Sequence, residues 1–464
     1  MANTKTPKLC DLCEENRGRD EHDRISFIPD ELLVQIFSFM SLRQAVKTSV
    51  LSKRWMNLWT KIPCLTFDGP NIFDQELSSA NQRLKSRQFD SRVSKVVSQL
   101  MQHSPGILSL SVYYEIAGKD VSFIDQWVSF AVEHDVQRLI MFFRRYDTIS
   151  WSFPPRLGSN EKVYSINELL LGGVNIVPCF AAFKNLKLVS LSSVSVTDKA
   201  FEDLLSNCLL LQDLFLCSAE KLKIVKIPEF LIRLRSLYVY LCPSLLEIEV
   251  KAANLIVLSY VGETAKFSFS NISKLRLLRL GGLDEVFLRL MNENLLLQNL
   301  ALDLHIFLQD FDLGAKVFPP LTNLKVLTLS IAYLSNGYAG IVNLLRATPC
   351  LIKFELHMKD PDFVTQESEV AFIEKFRHNC IREIELSGFT GGEGQIKLVH
   401  FLIKVAVGLR KFTIYPYHIR FYLNQRLRIG LVEVDMEQLA EIRKCVDQIS
   451  CELPSTAKLE FIDC

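Results

Sequence analysis

Residues 211–239 read LQDLFLCSAEKLKIVKIPEFLIRLRSLYV, and one phrase occurs in them twice. It is apolar-x-x-apolar-x-apolar, at Leu211–Leu216 and again at Leu234–Val239. Its last two apolar residues lie two apart, so in an extended segment they share one face. A single strand of this kind cannot bury that face; a stack of them can. Upstream the phrase recurs at Ile107–Val112, Val136–Met141, Ile166–Leu171 and Leu186–Leu191. Downstream it recurs at Leu275–Leu280, Leu297–Leu302, Leu324–Leu329, Leu351–Leu356, Ile381–Leu386 and Leu409–Ile414, with a weaker copy from Leu255.

Successive starts lie mostly about 20–30 residues apart, and phrase and period resemble those of leucine-rich repeats. Amphipathic helical patterns precede several strands: Val93, Val96, Val97 and Leu100; Phe201, Leu204 and Leu205; Ile341, Leu344 and Leu345; Ile373 and Phe376; Val399, Leu402, Ile403 and Ala406. The expected fold is therefore α/β, a curved leucine-rich-repeat solenoid with inner parallel strands and outer helices and loops. The Asn or Cys that closes the turn after the strand in this family is nearly absent here, with Cys242 the exception, so irregular turns are expected. Residues flanking the central apolar position should face the concave side. Phe215, Tyr238 and Leu277 stand there as candidate target-binding anchors, beside charged positions such as Asp213, Arg279, Lys353, Glu355, Glu383, Glu385 and Lys411.

Ahead of the repeats, residues 23–59 read DRISFIPDELLVQIFSFMSLRQAVKTSVLSKRWMNLW. Pro29 suits a first helical position, where its missing N–H costs nothing. Asp30 and Glu31 suit the positive end of the helix dipole. Leu32, Leu33, Ile36, Phe37 and Met40 recur at helical spacing as one apolar stripe. Ser41 is placed to cap a second helix with Ala45, Val46 and Val50, and Ser52 a third with Trp55, Leu58 and Trp59. Such a small core is marginal alone. Two tryptophans, a phenylalanine and Ile28 exceed what it hides, which points to a docking face.

This pattern resembles the F-box in its plant form. The match is carried by Asp23-Arg24-Ile25-Ser26, Ile28-Pro29-Asp30-Glu31-Leu32-Leu33, Ile36, the run from Thr48 to Trp55, and Leu58-Trp59. Ile28 stands where the family usually has Leu. The resemblance implies a three-helix module that binds a Skp-type adaptor and, through it, a cullin. It assigns that contact to Ile28, Pro29, Leu32, Ile36, Val50 and Trp55, residues that equally suit the module's own core. Residues from about 378 to Pro416 resemble the FBD region that ends many plant F-box proteins, through Cys380, the strand to Leu386, Gly388-Phe389, Gly391-Gly392 and the helix before Leu409. The expected domains are a disordered tail (1–22), an F-box (23–63), the solenoid (64–378), and FBD-like terminal repeats with a cap (379–464). That cap would hold a helix at Met436–Ile449 and a last strand at Ala457–Ile462.

Composition narrows the function. The 53 basic and 52 acidic residues nearly cancel, which gives no global field for nucleic acid or an anionic membrane. No apolar run approaches the length of a membrane span and no signal peptide is apparent, so a soluble chain, cytoplasmic or nuclear, is expected. The 12 cysteines are mostly scattered among apolar residues and read as small buried hydrophobes. Cys10 and Cys13 form a CxxC that lacks the second half of a zinc site, with His22 the one nearby candidate ligand. The glycines at 388, 391, 392 and 394 lack the ending and spacing of a phosphate loop and read as a turn. The histidines are dispersed, and no nucleophile elbow or HExxH occurs. The expectation is a non-catalytic subunit, without metal or cofactor. It would recognise substrate for an SCF-type cullin ubiquitin ligase, binding an unnamed protein target through the repeats and working by proximity. The alternatives are a non-degradative protein-interaction scaffold and a ligand-dependent, hormone-sensing receptor.

Overall fold

Pro29 is the N-cap of the first helix, and it sets where the N-terminal module begins. The structure is a computed structural model. It describes residues 25–68, 82–104, 106–116, 122–145, 165–173, 183–262, 265–270, 272–281, 297–303, 318–331, 339–358, 376–416 and 436–462. The 1–22 tail with Cys10, Cys13 and His22, the helical pattern at Ile373, and the run from Tyr417 to residue 435 lie outside them. The chain divides into two units, Met1–Ile140 and Met141–Cys464.

In the first unit, a 3₁₀ turn (Ile25–Phe27) leads into α1 (Asp30–Ser38), whose first turn carries Asp30 and Glu31. Helix α2 (Leu42–Lys47) starts with a capping box: Gln44 N donates to Ser41 Oγ at 3.2 Å, and Ser41 N to Gln44 Oε1 at 3.0 Å. The third segment differs from expectation. It is a series of turns ending in a 3₁₀ helix, Leu58–Lys61, rather than an α-helix from Ser52. Short polar side chains compete for its backbone: Trp55 N donates to Ser52 Oγ at 3.3 Å and Thr60 Oγ1 to Asn57 O at 2.7 Å. Leu33, Phe37, Ala45, Leu58, Trp59 and Ile62 form the core. Strand β1 (Cys64–Phe67) pairs in parallel with β2 (Ser109–Ile116), with Leu65 opposite Leu110. Helices α3 (Gln82–His103) and α4 (Ser122–Glu133) pack through an edge contact of Phe89 with Trp127, centroids 6.2 Å apart. Strand β3 (Arg138–Arg145) follows.

The second unit is a ladder of parallel strands, each pairing with the strand of the next repeat. Its members are β4 (Glu168–Gly172), β5 (Leu188–Ser192), β6 (Asp213–Cys217), β8 (Ser236–Tyr240), β10 (Val257–Val261), β12 (Leu277–Gly281), β13 (Asn299–Asp303), β14 (Val326–Ile331), β15 (Lys353–Met358), β16 (Glu383–Ser387), β17 (Lys411–Tyr415) and β18 (Lys458–Phe461). The register advances without slip. Leu169, Val189, Leu214, Leu237, Leu258, Leu278, Leu300, Leu327, Phe354, Ile384 and Phe412 fall in one buried row. Each turn of the chain thus covers the apolar row of the turn before it, which a single repeat could not do. Helices α5 (Asp198–Asn207), α6 (Ala339–Ala347), α7 (Glu393–Val405) and α8 (Met436–Ser450) close the other side of that core at the expected places. The buried face of α5 is Ala200, Phe201, Leu204 and Leu205.

Two features were not expected. Three consecutive repeats carry a short strand in place of the helix: β7 (Ile224–Ile227), β9 (Glu247–Val250) and β11 (Lys266–Phe269) form a second parallel sheet. The reason lies in their two-residue alternation, Val225 and Ile227 inward with Lys226 outward, a period that suits a strand and not a helix. The second feature corrects the expectation of irregular turns. Immediately after their strands, Gly173, Ser193, Ser218, Leu241 and Gly388 all adopt φ between 49° and 76°. The backbone N–H groups of Gly173, Ser193, Ser218 and Leu241 each donate to a carbonyl at the end of the next strand. A left-handed residue closes these turns in place of the Asn side chain. Gly173 cannot be replaced at this point without strain, because a Cβ there would lie 1.9 Å from Phe143 O.

Candidate functional site

Helix α1 sorts its apolar residues onto two faces. Leu33 and Phe37, four apart, are 1% exposed and point into the module, where Phe37 meets Trp55 at 5.4 Å. Leu32 and Ile36, also four apart, are 48% and 46% exposed, and Phe39 continues that outer face at 93%. The stripe expected as one is therefore two, a core face and an outer face.

Of the six residues to which the resemblance assigns adaptor contact, Pro29, Leu32, Ile36 and Val50 are exposed, and Ile28 and Trp55 are partly buried. Their setting adds Ile25, Phe27, Phe39, Leu51 and Met56, all exposed. The spacing of Phe39 from Leu32 and Ile36 was the signal in the sequence that could have found it. An ionic clasp holds the ends of the module together. Arg54 Nε donates to Asp30 Oδ1 at 2.9 Å, Lys61 Nζ reaches Asp30 Oδ2 at 3.3 Å, and Arg54 also donates to Ile28 O. The Arg54 guanidinium beside Asp30 holds its carboxyl below the usual carboxylate range, with Lys61 acting in the same sense.

In the second unit the strand positions between the buried rows make a separate face. Its central row runs Leu170, Ser190, Phe215, Tyr238, Ser259, Arg279, Ala301, Thr328, Glu355, Glu385, Thr413 and Glu460. The row is aromatic near its start and acidic toward its end. Tyr238 is not the exposed anchor expected of it: it is 1% exposed, stacked flat on Phe215 at 4.3 Å between centroids, with the Tyr240 ring of its own strand 6.3 Å away. Aromatic rings on in-register neighbours bury one another, which single-strand reading cannot foresee. Phe215 and Leu277 remain half-buried.

Further along, Lys353 Nζ lies between two carboxylates, Glu355 Oε1 and Glu385 Oε2, the latter at 2.8 Å. Thr328 Oγ1 donates to Glu355 Oε2 at 2.8 Å, and His357 Nδ1 meets Ser387 Oγ at 2.6 Å. Burial pushes the Glu355 carboxyl up, but the hydrogen bonds and charge of Lys353 outweigh it and hold it below the ordinary range. Burial likewise pulls the Lys353 ammonium down, and its bonds to Glu355 and Glu385 outweigh that and raise it.

The glycine run forms the turn into α7. Gly388 and Gly391 have positive φ, and the Gln395 side chain is buried against the turn. Its Oε1 accepts from Thr390 N at 2.7 Å and its Nε2 donates to Gly388 O at 3.1 Å. Among the described residues, no group of three or more His, Cys, Asp and Glu side chains could hold a metal ion, and no helix is long and apolar enough to cross a membrane.

Residues 25–67 match the F-box domain family, and residues 101–463 match the family described as At1g61320/AtMIF1, LRR domain. The chain is similar to the Arabidopsis thaliana F-box/LRR-repeat protein At5g02910, 28% identical over 364 residues that cover 73% of this chain and 72% of the relative. It is also similar to the Arabidopsis thaliana putative F-box/FBD/LRR-repeat protein At5g62970, 30% identical over 210 residues that cover 41% of this chain and 46% of the relative. Among solved structures it aligns with the Leptospira interrogans LRR protein LIC12759 over 86% of this chain and 95% of that one, with a TM-score of 0.35 and 14% identity.

Proposed function

Since this chain belongs to the At1g61320/AtMIF1 leucine-rich-repeat family and carries an F-box at residues 25–67, we propose that it is a substrate adaptor of the SCF type. The F-box binds a Skp-type adaptor and, through it, a cullin. The repeats hold a protein target. The chain contributes no chemistry of its own: it raises the local concentration of target beside the conjugating machinery.

The observation that carries this reading is the outer apolar face of the N-terminal module. Phe39 at 93%, Val50 at 85%, Phe27 at 68% and Leu51 at 66% are exposed in this one module, as are Leu32 and Ile36. Water-exposed clusters of large apolar side chains on so small a module mark a protein contact. Ile28, Pro29, Leu32, Ile36, Val50 and Trp55 are proposed as adaptor-binding residues. Ile28 and Trp55, partly buried, support the face, and the exposed Pro29, Leu32, Ile36 and Val50 enter the contact. Phe215 and Leu277 are proposed as target contacts, with Tyr238 as the ring that supports Phe215. The FBD-like reading of residues 379–464 is supported by the name of the relative matched over part of this chain. The test is deletion of residues 23–63: co-purification of the adaptor should be lost while target partners are kept. Adaptor retained by the deleted chain would overturn the proposal.

A further inference from the structure

The cluster on β15 and β16 is not balanced. It holds two carboxylates, Glu355 and Glu385, each 5% exposed, and one ammonium, Lys353, shared between them. Glu385 Oε2 has Lys353 as its donor, but Glu385 Oε1 is buried with no hydrogen-bond partner. A buried carboxylate oxygen without a donor is costly. The imbalance lies on the face of the ladder opposite the apolar rows, with Glu383 in register beside Lys353 and exposed. Lys353, whose side chain is 21% exposed against 7% for the two carboxylates, is the part of the cluster that solvent reaches. It is a single charge on a flexible stem, able to move aside for a better donor.

We propose that Glu385 is a docking point for a basic side chain of the captured target, an arginine whose planar guanidinium supplies the donor that Oε1 lacks. A guanidinium carries five N–H donors in a fixed fork, so it can serve Oε1 and still share Oε2 with the displaced ammonium. The target segment is then basic where it crosses the acidic end of the row. This inference rests on the reading of the repeats as the target-holding part, and it gives that part a chemical preference.

The test uses the full chain and a fluorescein-labelled peptide of alternating arginine and serine, read by anisotropy at physiological ionic strength. Glu385→Gln keeps the shape and removes the charge, and should weaken binding by about tenfold or more, the usual scale for a charge-assisted bidentate pair. Lys353→Met removes the internal competitor and should tighten binding. Glu229→Gln, an exposed carboxylate elsewhere, should change nothing and so controls for general charge attraction. Equal affinities of wild type, Glu385→Gln and Glu229→Gln would overturn the proposal, even if Lys353→Met fails to fold. A peptide in which glutamine replaces arginine, bound as tightly, would also overturn it. So would potassium chloride raising the melting temperature of wild type but not of Glu385→Gln while the peptide fails to distinguish them, since the oxygen would then serve an inorganic cation. Adaptor co-purification runs through the F-box and should be equal in every variant. Its loss in wild type would sink the proposed function and leave this inference standing on its own readout.

Discussion

Leu32 and Leu33 are adjacent on α1 and should behave oppositely when truncated. Leu33 is 1% exposed and Leu32 is 48% exposed. Leu33→Ala empties a buried site in a core of six apolar residues, and such changes typically cost about 2–5 kcal/mol. A module this small has little stability to spare, so the loss should appear as local unfolding. Leu32→Ala removes a side chain already half in water and should cost under about 1 kcal/mol in stability. Its effect should appear on binding. Fully burying a leucine contributes about 1.5–3 kcal/mol, so covering its exposed half is worth about 1 kcal/mol, or about fivefold in Kd. Hydrogen exchange of the α1 amides in the full chain reports the first effect, and calorimetric titration with the Skp-type adaptor the second. The reasoning fails if Leu32→Ala unprotects α1 as much as Leu33→Ala, or if Leu33→Ala leaves the α1 amides protected.

Three further outcomes follow from single contacts. His378 is buried, its Nε2 2.9 Å from Thr348 O and its Nδ1 accepting from Ile381 N at 3.3 Å. Desolvation by burial lowers its pKa from 6.5, so the folded state takes up its proton later than the unfolded one. Its contribution is therefore full above pH 6.5 and declines as pH falls from there through the folded value. Melting curves at falling pH should show this loss, and His378→Gln should flatten it. Gln395→Ala strips Thr390 N and Gly388 O of their partners and should destabilise by about 1–3 kcal/mol, seen as faster exchange of the Thr390 amide. Leu241 sits at φ 49°, and Leu241→Gly should raise stability by about 0.5–1 kcal/mol, since the strain relieved exceeds the entropy that glycine adds to the unfolded chain; an unchanged or lower melting temperature would contradict it.

The ladder was legible because its signal is repeated. The phrase at Leu211 is weak alone, but its copies place every main strand from β2 to β17, and Val225–Ile227 alternation could have placed the second sheet had four-residue runs been weighed. The turns were not legible, since a left-handed Ser193 or Leu241 looks like any other serine or leucine. They are fixed by the hydrogen bond to the next strand. Tyr238 shows the same limit at the candidate site. Its position between buried rows is visible in one strand, but the ring stacked on it belongs to Phe215, which only the register brings beside it. At the F-box, helical spacing made Leu33 and Phe37 neighbours of Leu32 and Ile36. Which pair faces inward was decided by Ala45, Leu58 and Trp59 across the module, and no local pattern encodes that choice. The imbalance at Glu385 is likewise a property of three strands together.

The central claim is that the exposed apolar face of the N-terminal module docks the adaptor. The direct measurement is the affinity of the purified Skp-type adaptor for the full chain carrying Phe39→Asp and Val50→Asp, two residues 93% and 85% exposed. Both carboxylates are harmless in water and costly once covered. The account predicts an unchanged melting curve and adaptor affinity reduced at least about a hundredfold, the scale of two unpaired charges in a buried contact. Adaptor binding at wild-type affinity by this folded variant would contradict it.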